Sequence, residues 1–211
     1  ALRPQIRFES RQPRRQVQEG YFRQMLDARG RQLEVYPYNP PSSLPITPVR
    51  DGNGGWLGVP IQLPGRVVVL RVWQVQVGRV ALFLLDSNDP MNSPADRGIT
   101  GKLYGGGGEM RLVQEIVLGI GGWRALEALG LHPDVCHLNE GHAALVTLER
   151  ARSHMQENKT DLWQAIWATR AGNVFTTHTP VAAGFDTFPL ALLMEYGSHY
   201  AAGLGVAPQE L

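Results

Sequence analysis

Pro133-Asp134-Val135-Cys136-His137-Leu138-Asn139-Glu140-Gly141-His142-Ala143-Ala144-Leu145-Val146 is the stretch around which the chain is organised. Its first half is short and mostly apolar after a proline, the pattern of a buried strand. Its second half runs into Ala144, Leu145, Leu148 and Glu149, the pattern of a helix. Between them stand Asn139, Glu140, Gly141 and His142, polar groups at the carboxyl end of a strand, where open α/β sheets bind their ligands. Asn173-Val174-Phe175-Thr176-Thr177-His178-Thr179-Pro180 repeats the design, with helical segments in between. The order strand, helix, helix, strand predicts that 134–139 and 173–178 are parallel strands of one sheet, because parallel neighbours need a helical crossover. Taken singly, such residues also cap helices and close turns; two histidine-bearing strand ends in succession favour one shared crevice.

The polar residues at these strand ends are Asn139, Glu140, His142, Thr177, His178 and Thr179. Sugars are recognised by such neutral and acidic groups, since each hydroxyl both donates and accepts. Glycosyl transfer develops positive charge at the anomeric carbon, which a nearby carbonyl or carboxylate stabilises. His137 and His142 have no partners at metal-ligand spacing, and a regular strand points Cys136 away from His137, so no metal set is predicted. No nucleophile elbow supports a serine triad.

The 211 residues are enough to bury a core, and no run is long and apolar enough to cross a membrane. The first 18 residues are arginine-rich and have no apolar segment of signal-peptide type. One cysteine, Cys136, excludes an internal disulfide and fits a reducing cytoplasm. A net charge of +1 gives no general argument for nucleic acid. Lys102 and Lys159 are the only lysines.

Residues 1–19 show little apolar periodicity and read as a poorly ordered or non-native tail. A β-rich region is expected over 30–86. Gln32 to Tyr36 alternates polar and apolar, Pro37, Pro40, Pro41 and Pro45 break the pattern, and Asp51-Gly52-Asn53-Gly54-Gly55 is a turn signal. Arg66 to Val75 and Gly78 to Asp86 make a hairpin across a short link. Residues 87–108 read as a loop, and Gly105 to Gly108 lacks the pattern of a phosphate cradle. A core of βαβ type is expected over 109–190. There Gly119, Gly121 and Gly122 interrupt a helical pattern, which implies close backbone approach. Gly130 is expected to cap that helix, Asp161 to start another, and Gly197 to end the last one near Tyr196.

The blocks Asn139-Glu140-Gly141-His142-Ala143-Ala144 and Phe175-Thr176-Thr177-His178-Thr179-Pro180-Val181-Ala182-Ala183-Gly184 resemble the α-glucan (glycogen) phosphorylase family in its bacterial and archaeal branch. So do Gly20-Tyr21-Phe22-Arg23-Gln24, Leu103-Tyr104-Gly105-Gly106, Glu109 to Glu115, and Leu118 to Gly122, in the same order. The resemblance implies an α/β chain that is an incomplete Rossmann-like domain of a two-domain glycosyltransferase, residues 20–211 being part of its N-terminal, glucan-binding half. It implies phosphorolysis of α-1,4-glucan by inorganic phosphate to glucose 1-phosphate, with pyridoxal phosphate as cofactor. By motif match His178 is the catalytic position against the glucosyl unit, and Asn139, Glu140, His142, Thr177 and Thr179 bind substrate. The cofactor lysine matches neither Lys102 nor Lys159, so the chain alone is expected to be inactive, a piece of a longer protein or the product of a damaged reading frame. The family's mobile loop near Gly105–Gly108 often carries an acidic residue where this chain has glycine. The alternatives are the N-terminal domain of a sugar-nucleotide glycogen or starch synthase and a non-catalytic glucan-binding fragment.

Overall fold

A computed structural model describes residues 23–36, 39–102 and 106–211. The tail expected over 1–19, the Gly20-Tyr21-Phe22 block, the Pro37 break and Leu103-Tyr104-Gly105 lie outside the described residues. Strands β1 (Arg23–Leu26) and β2 (Gln32–Val35) pair antiparallel. Asp27 shapes their turn by accepting the N–H groups of Arg29 and Arg31. Next come β3 (Thr47–Pro48), β4 (Gly58–Leu63), β5 (Arg66–Val77) and β6 (Val80–Asp86), a single antiparallel sheet in which β5 pairs with the other three. The link between β5 and β6 turns at Gly78 and Arg79, and Gly78 has φ +60°, a conformation glycine adopts without strain. Val59, Ile61 and Leu63 point into the core from β4 while Gly58, Pro60 and Gln62 face out, the two-residue period of a one-sided sheet.

Within the stretch expected as a loop, the described residues 87–102 include a capped helical turn. Ser93 caps a single turn, α1 (Pro94–Arg97). The Asn92 carboxamide bonds the N–H of Val69 at 2.9 Å and its carbonyl at 2.8 Å, so it takes the place of a strand residue beyond the end of β6. Gln114 Nε2 then ties the same stretch to the next helix by donating to the carbonyls of Ile99 and Lys102.

That helix is continuous over three parts: α2 (Gly108–Ile116), a π-turn (Val117–Gly121) and α3 (Gly122–Ala128). Its glycines answer the expectation of close approach. A Cβ on Gly119 would stand 2.8 Å from both Leu145 Cβ and the Val146 nitrogen, and one on Gly121 would stand 2.7 Å from Leu70 Cδ1. The rod therefore lies on the sheet with one glycine and on the site loop with the other. Val113, Ile116, Val117 and Ile120 meet Val59, Ile61, Val68, Leu70 and Val72 in the main core. Each such burial contributes roughly 1.5–3 kcal/mol. Gly130, φ +69°, closes the C-terminus of α3 as expected.

Strand β7 (Cys136–Asn139) follows, then a 3₁₀ turn at 141–143, α4 (Val146–Asn158), α5 (Leu162–Arg170) and β8 (Asn173–Thr176). β7 and β8 are parallel, with Cys136 opposite Asn173 and Asn139 opposite Thr176. The expected pairing of 134–139 with 173–178 is present, in shorter strands. Asp161 starts α5 by accepting the Gln164 N–H at 2.8 Å. The final helix, α6 (Leu190–Leu204), corrects the expectation at Gly197: it continues through that glycine and ends at Gly205, φ +72°. Glycine inside a helix costs about 1 kcal/mol, and the burial of Tyr196, Ala201 and Leu204 on either side outweighs it. The fold is mixed α/β with several sheets, and no helix among the described residues is long and apolar enough to cross a membrane.

Candidate functional site

Two devices set the ends of β7 and β8. At their start, Arg150 of α4 donates to the Asp134 carbonyl at 2.6 Å, the Gly172 carbonyl at 2.7 Å and Asn173 Oδ1 at 2.9 Å. Trp123, Leu138 and Val146 pack together beneath β7, and Gly119 admits the backbone that enters α4. The strand ends are therefore held from both sides before any polar group is placed.

At their carboxyl end the ladder extends by one bond, from the Glu140 N–H to the Thr176 carbonyl at 2.9 Å. Glu140 has φ +60°, a left-handed value rare outside glycine, which persists only where the surroundings over-determine it. The strained turn sends its carboxylate across the gap. Oε1 accepts the His178 N–H at 2.8 Å and lies 3.3 Å from His178 Nδ1. The His178 N–H, followed by Thr179, the His178 ring and Thr177, holds this carboxyl below its ordinary range, against the opposing effect of its cover. Oε2 is buried behind this rim. His178 Nε2 is 3.0 Å from Asn139 Oδ1, which can only accept, so that nitrogen carries a proton. Asn139, Glu140, Thr177, His178 and Thr179 thus share one rim, with Asn139, Thr177 and His178 exposed on it.

His142 stands in the 3₁₀ turn beside this rim, and its partners went unrecognised in the sequence. Arg111 Nη2 is 2.6 Å from His142 Nδ1, and Arg111 grips Asp186 Oδ2 from Nε at 2.9 Å and Nη2 at 2.7 Å. Glu115, one helical turn beyond Arg111, has Oε1 at 3.5 Å from Arg111 Nε. Burial, reinforced by the facing Asp186, pushes the Glu115 carboxyl up to about 8, with Arg111 opposing. The same Arg111 keeps Asp186 ionised below its ordinary range despite partial burial. Glu115, His142 and Asp186 offer donor atoms all within 4.8 Å of one another, a spacing compatible with a metal ion. The positive charge among them is the Arg111 guanidinium, and a second cation there would be repelled. The i, i+4 spacing of Arg111 and Glu115 was visible in the sequence; Asp186, far along the chain, had no local signal.

His137 bonds Thr176 through Nε2 at 2.6 Å, a brace between the strands. Cys136 is half-buried, and burial raises its thiol above the ordinary value, which suits a packed thiol and not a nucleophile. Both lysines are exposed: Lys159 is the left-handed residue after α4, and Lys102 lies 5.7 Å from the Tyr36 ring. Pyridoxal phosphate needs a lysine amine within an enclosed pocket with donors for its phosphate, and the described residues do not provide that set.

No family model matches the chain. Over 185 residues it is 43% identical to the maltodextrin phosphorylase of Thermococcus litoralis, which covers 88% of this chain and 22% of that protein. It is 45% identical over 183 residues to the glycogen phosphorylase of Mycobacterium tuberculosis, 84% of this chain and 21% of the relative. With the glycogen phosphorylase of Aquifex aeolicus the identity is 34% over 178 residues, 84% and 25% of the two chains. The chain spans 21% to 25% of the length of these curated relatives.

Proposed function

Because this chain belongs to the glycogen and maltodextrin phosphorylase family, we propose that it forms one wall of an α-1,4-glucan crevice, built on part of a Rossmann-like domain. The observation that carries the reading is the Glu140 bridge. A strained turn and a covered carboxylate join the ends of two parallel strands into one rim of alternating donors and acceptors. The exposed members of that rim, Asn139, Thr177 and His178, offer the mixed donors and acceptors that a sugar hydroxyl can meet.

In the proposed reaction the glucan bond between C1 and the neighbouring O4 breaks and a bond from C1 to a phosphate oxygen forms. The hydrogen phosphate gives up its proton to the departing O4, which leaves as the 4-hydroxyl of the shortened glucan, and glucose 1-phosphate leaves. His178 is the catalytic position of this chain. Its main-chain carbonyl faces the anomeric carbon and stabilises the positive charge that develops there. Asn139, Glu140 and His142 hold the acceptor side, and Thr177 and Thr179 complete the wall. Inorganic phosphate, and the pyridoxal phosphate of the family, are held by residues other than these, in a cytoplasmic enzyme. The chain alone is inactive.

The test is a titration of the 211-residue chain with maltoheptaose, followed by nuclear magnetic resonance at Asn139, His142 and His178. The expected result is saturable shifts at those residues, absent with a β-1,4-linked oligosaccharide of similar length. Shifts confined to other parts of the surface, or none at millimolar sugar, would overturn the assignment. Release of glucose 1-phosphate from maltodextrin and phosphate by the chain alone would overturn the division of labour.

A further inference from the structure

Arg111 makes no direct claim on a substrate, yet it touches the one histidine that the rim turns inward. A guanidinium has five N–H donors and no acceptor, and it stays protonated. The 2.6 Å separation of Arg111 Nη2 from His142 Nδ1 is a hydrogen bond only if Nδ1 presents its lone pair. We propose that Arg111 is a positioning residue that fixes His142 as the neutral tautomer with its proton on Nε2, so that the ring serves the crevice as a donor. What Nε2–H binds there rests on the glucan reading; the tautomer does not.

The surroundings show why the arginine is needed. Asp186 holds the guanidinium in place through two bonds to Oδ2. That same oxygen is 3.7 Å from His142 Nδ1. Without the guanidinium, Asp186 is the acceptor that faces Nδ1 among the described residues, and the ring proton would move to Nδ1 to meet it. Among the described residues, the charged and titratable groups that face His142 are Arg111 and Glu115 on α2, Asp186 after β8, and Glu140 at the end of β7. Burial, then the Arg111 charge, lowers the imidazole from its ordinary 6.5, with Asp186 and Glu140 pulling the other way. The neutral ring is therefore the state this arrangement favours, and Arg111 decides which nitrogen keeps the proton.

The experiment is a long-range proton–nitrogen correlation of the imidazoles in the 211-residue chain, with His142 assigned through His142→Gln. The expected wild-type pattern is the Nε2–H tautomer alone, titrating below the ordinary histidine value. Arg111→Met should convert His142 to the Nδ1–H pattern and move its midpoint upward, because only burial then opposes Asp186 and Glu140. Arg111→Lys, another cation with donors only, should restore the Nε2–H pattern. A wild-type ring that is Nδ1–H or imidazolium at pH 7 would overturn the proposal, and that measurement needs no variant to fold. So would an Arg111→Met chain that keeps the wild-type tautomer and midpoint. Loss of maltodextrin shifts with the tautomer intact would count against the crevice reading, a separate result.

Discussion

Glu140 and His178 meet through a backbone N–H, and this separates the two residues experimentally. His178→Ala keeps the N–H and the bridge but removes the ring that reaches Asn139. The side chain is 54% exposed, so its removal should change stability by less than about 0.5 kcal/mol. Maltodextrin affinity should fall by about 1–3 kcal/mol, the cost of an unmade hydrogen bond. Thermal unfolding and sugar titration of the same variant decide the matter: a lower Tm with unchanged affinity would make His178 a brace. Glu140→Gln keeps the shape and removes the charge. The folded carboxyl is lowered from the unfolded 4.5, so the bridge stabilises the fold above that value and its contribution is lost as pH falls through the folded one. The variant should lack this acid limb, seen as a Tm difference from wild type that closes towards low pH. An unchanged acid limb in Glu140→Gln would show that the bridge does not bear on stability. At this scale the rim was legible because strand ends break into polar residues locally. Arg111 and Asp186 were not, since their contact spans 75 positions and leaves no local pattern.

The rod from α2 to α3 contains a graded test in three glycines. Replacing any of them by alanine gains up to about 1 kcal/mol of helix propensity. At Gly122 nothing lies within 4 Å of the new methyl, so Gly122→Ala should be stabilising by about 0.5–1 kcal/mol. At Gly119 the methyl meets the Val146 nitrogen and Leu145 Cβ at 2.8 Å, atoms fixed by the chain path, so overpacking should cost about 1–3 kcal/mol and displace the start of α4. Gly121→Ala should fall between, because the atom it meets is a methyl of Leu70, though one fully buried in the core. Urea midpoints of the three variants give the order, and a stable Gly119→Ala would mean that the rod does not press on the site loop. The sequence announced the close approach, since glycines in a helical pattern need a reason, but not the partner, which is tertiary. The Asp161 cap was readable for the opposite reason: it satisfies a donor three residues away. Gly197 was misread because a lone glycine looks the same as a stop signal and as a tolerated interior residue, and only the packing of α6 tells them apart.

At the scale of the whole molecule, Glu115 lies where the sheet-bearing half meets the strand ends, since α2 packs on β4 and β5 and faces Asp186 in the loop after β8. The residue is 7% exposed, and its carboxyl is pushed up to about 8 in the fold, against 4.5 as the ordinary value. Between those values the folded chain holds a proton that the unfolded chain has released. Stability from this group is therefore complete below about 4.5, declines as pH rises, and is gone once pH has passed through about 8. Asp186, Asp89 and Glu140 are shifted down and act at the other end, losing their contributions in acid. The protein should thus lose stability on both sides, and among the described residues Glu115 is the raised group that acts from mildly acidic to neutral pH, ahead of the Cys136 thiol and the Tyr196 and Tyr200 hydroxyls. Glu115→Gln mimics the protonated acid and cannot release the proton. Urea unfolding of wild type and variant from pH 5 to pH 9 should give a difference that grows in the variant's favour with rising pH, while the other titrating groups cancel in the subtraction. A difference that stays flat over that range would show that Glu115 is ionised in the fold, with Arg111 neutralising it in place of a shared proton with Asp186.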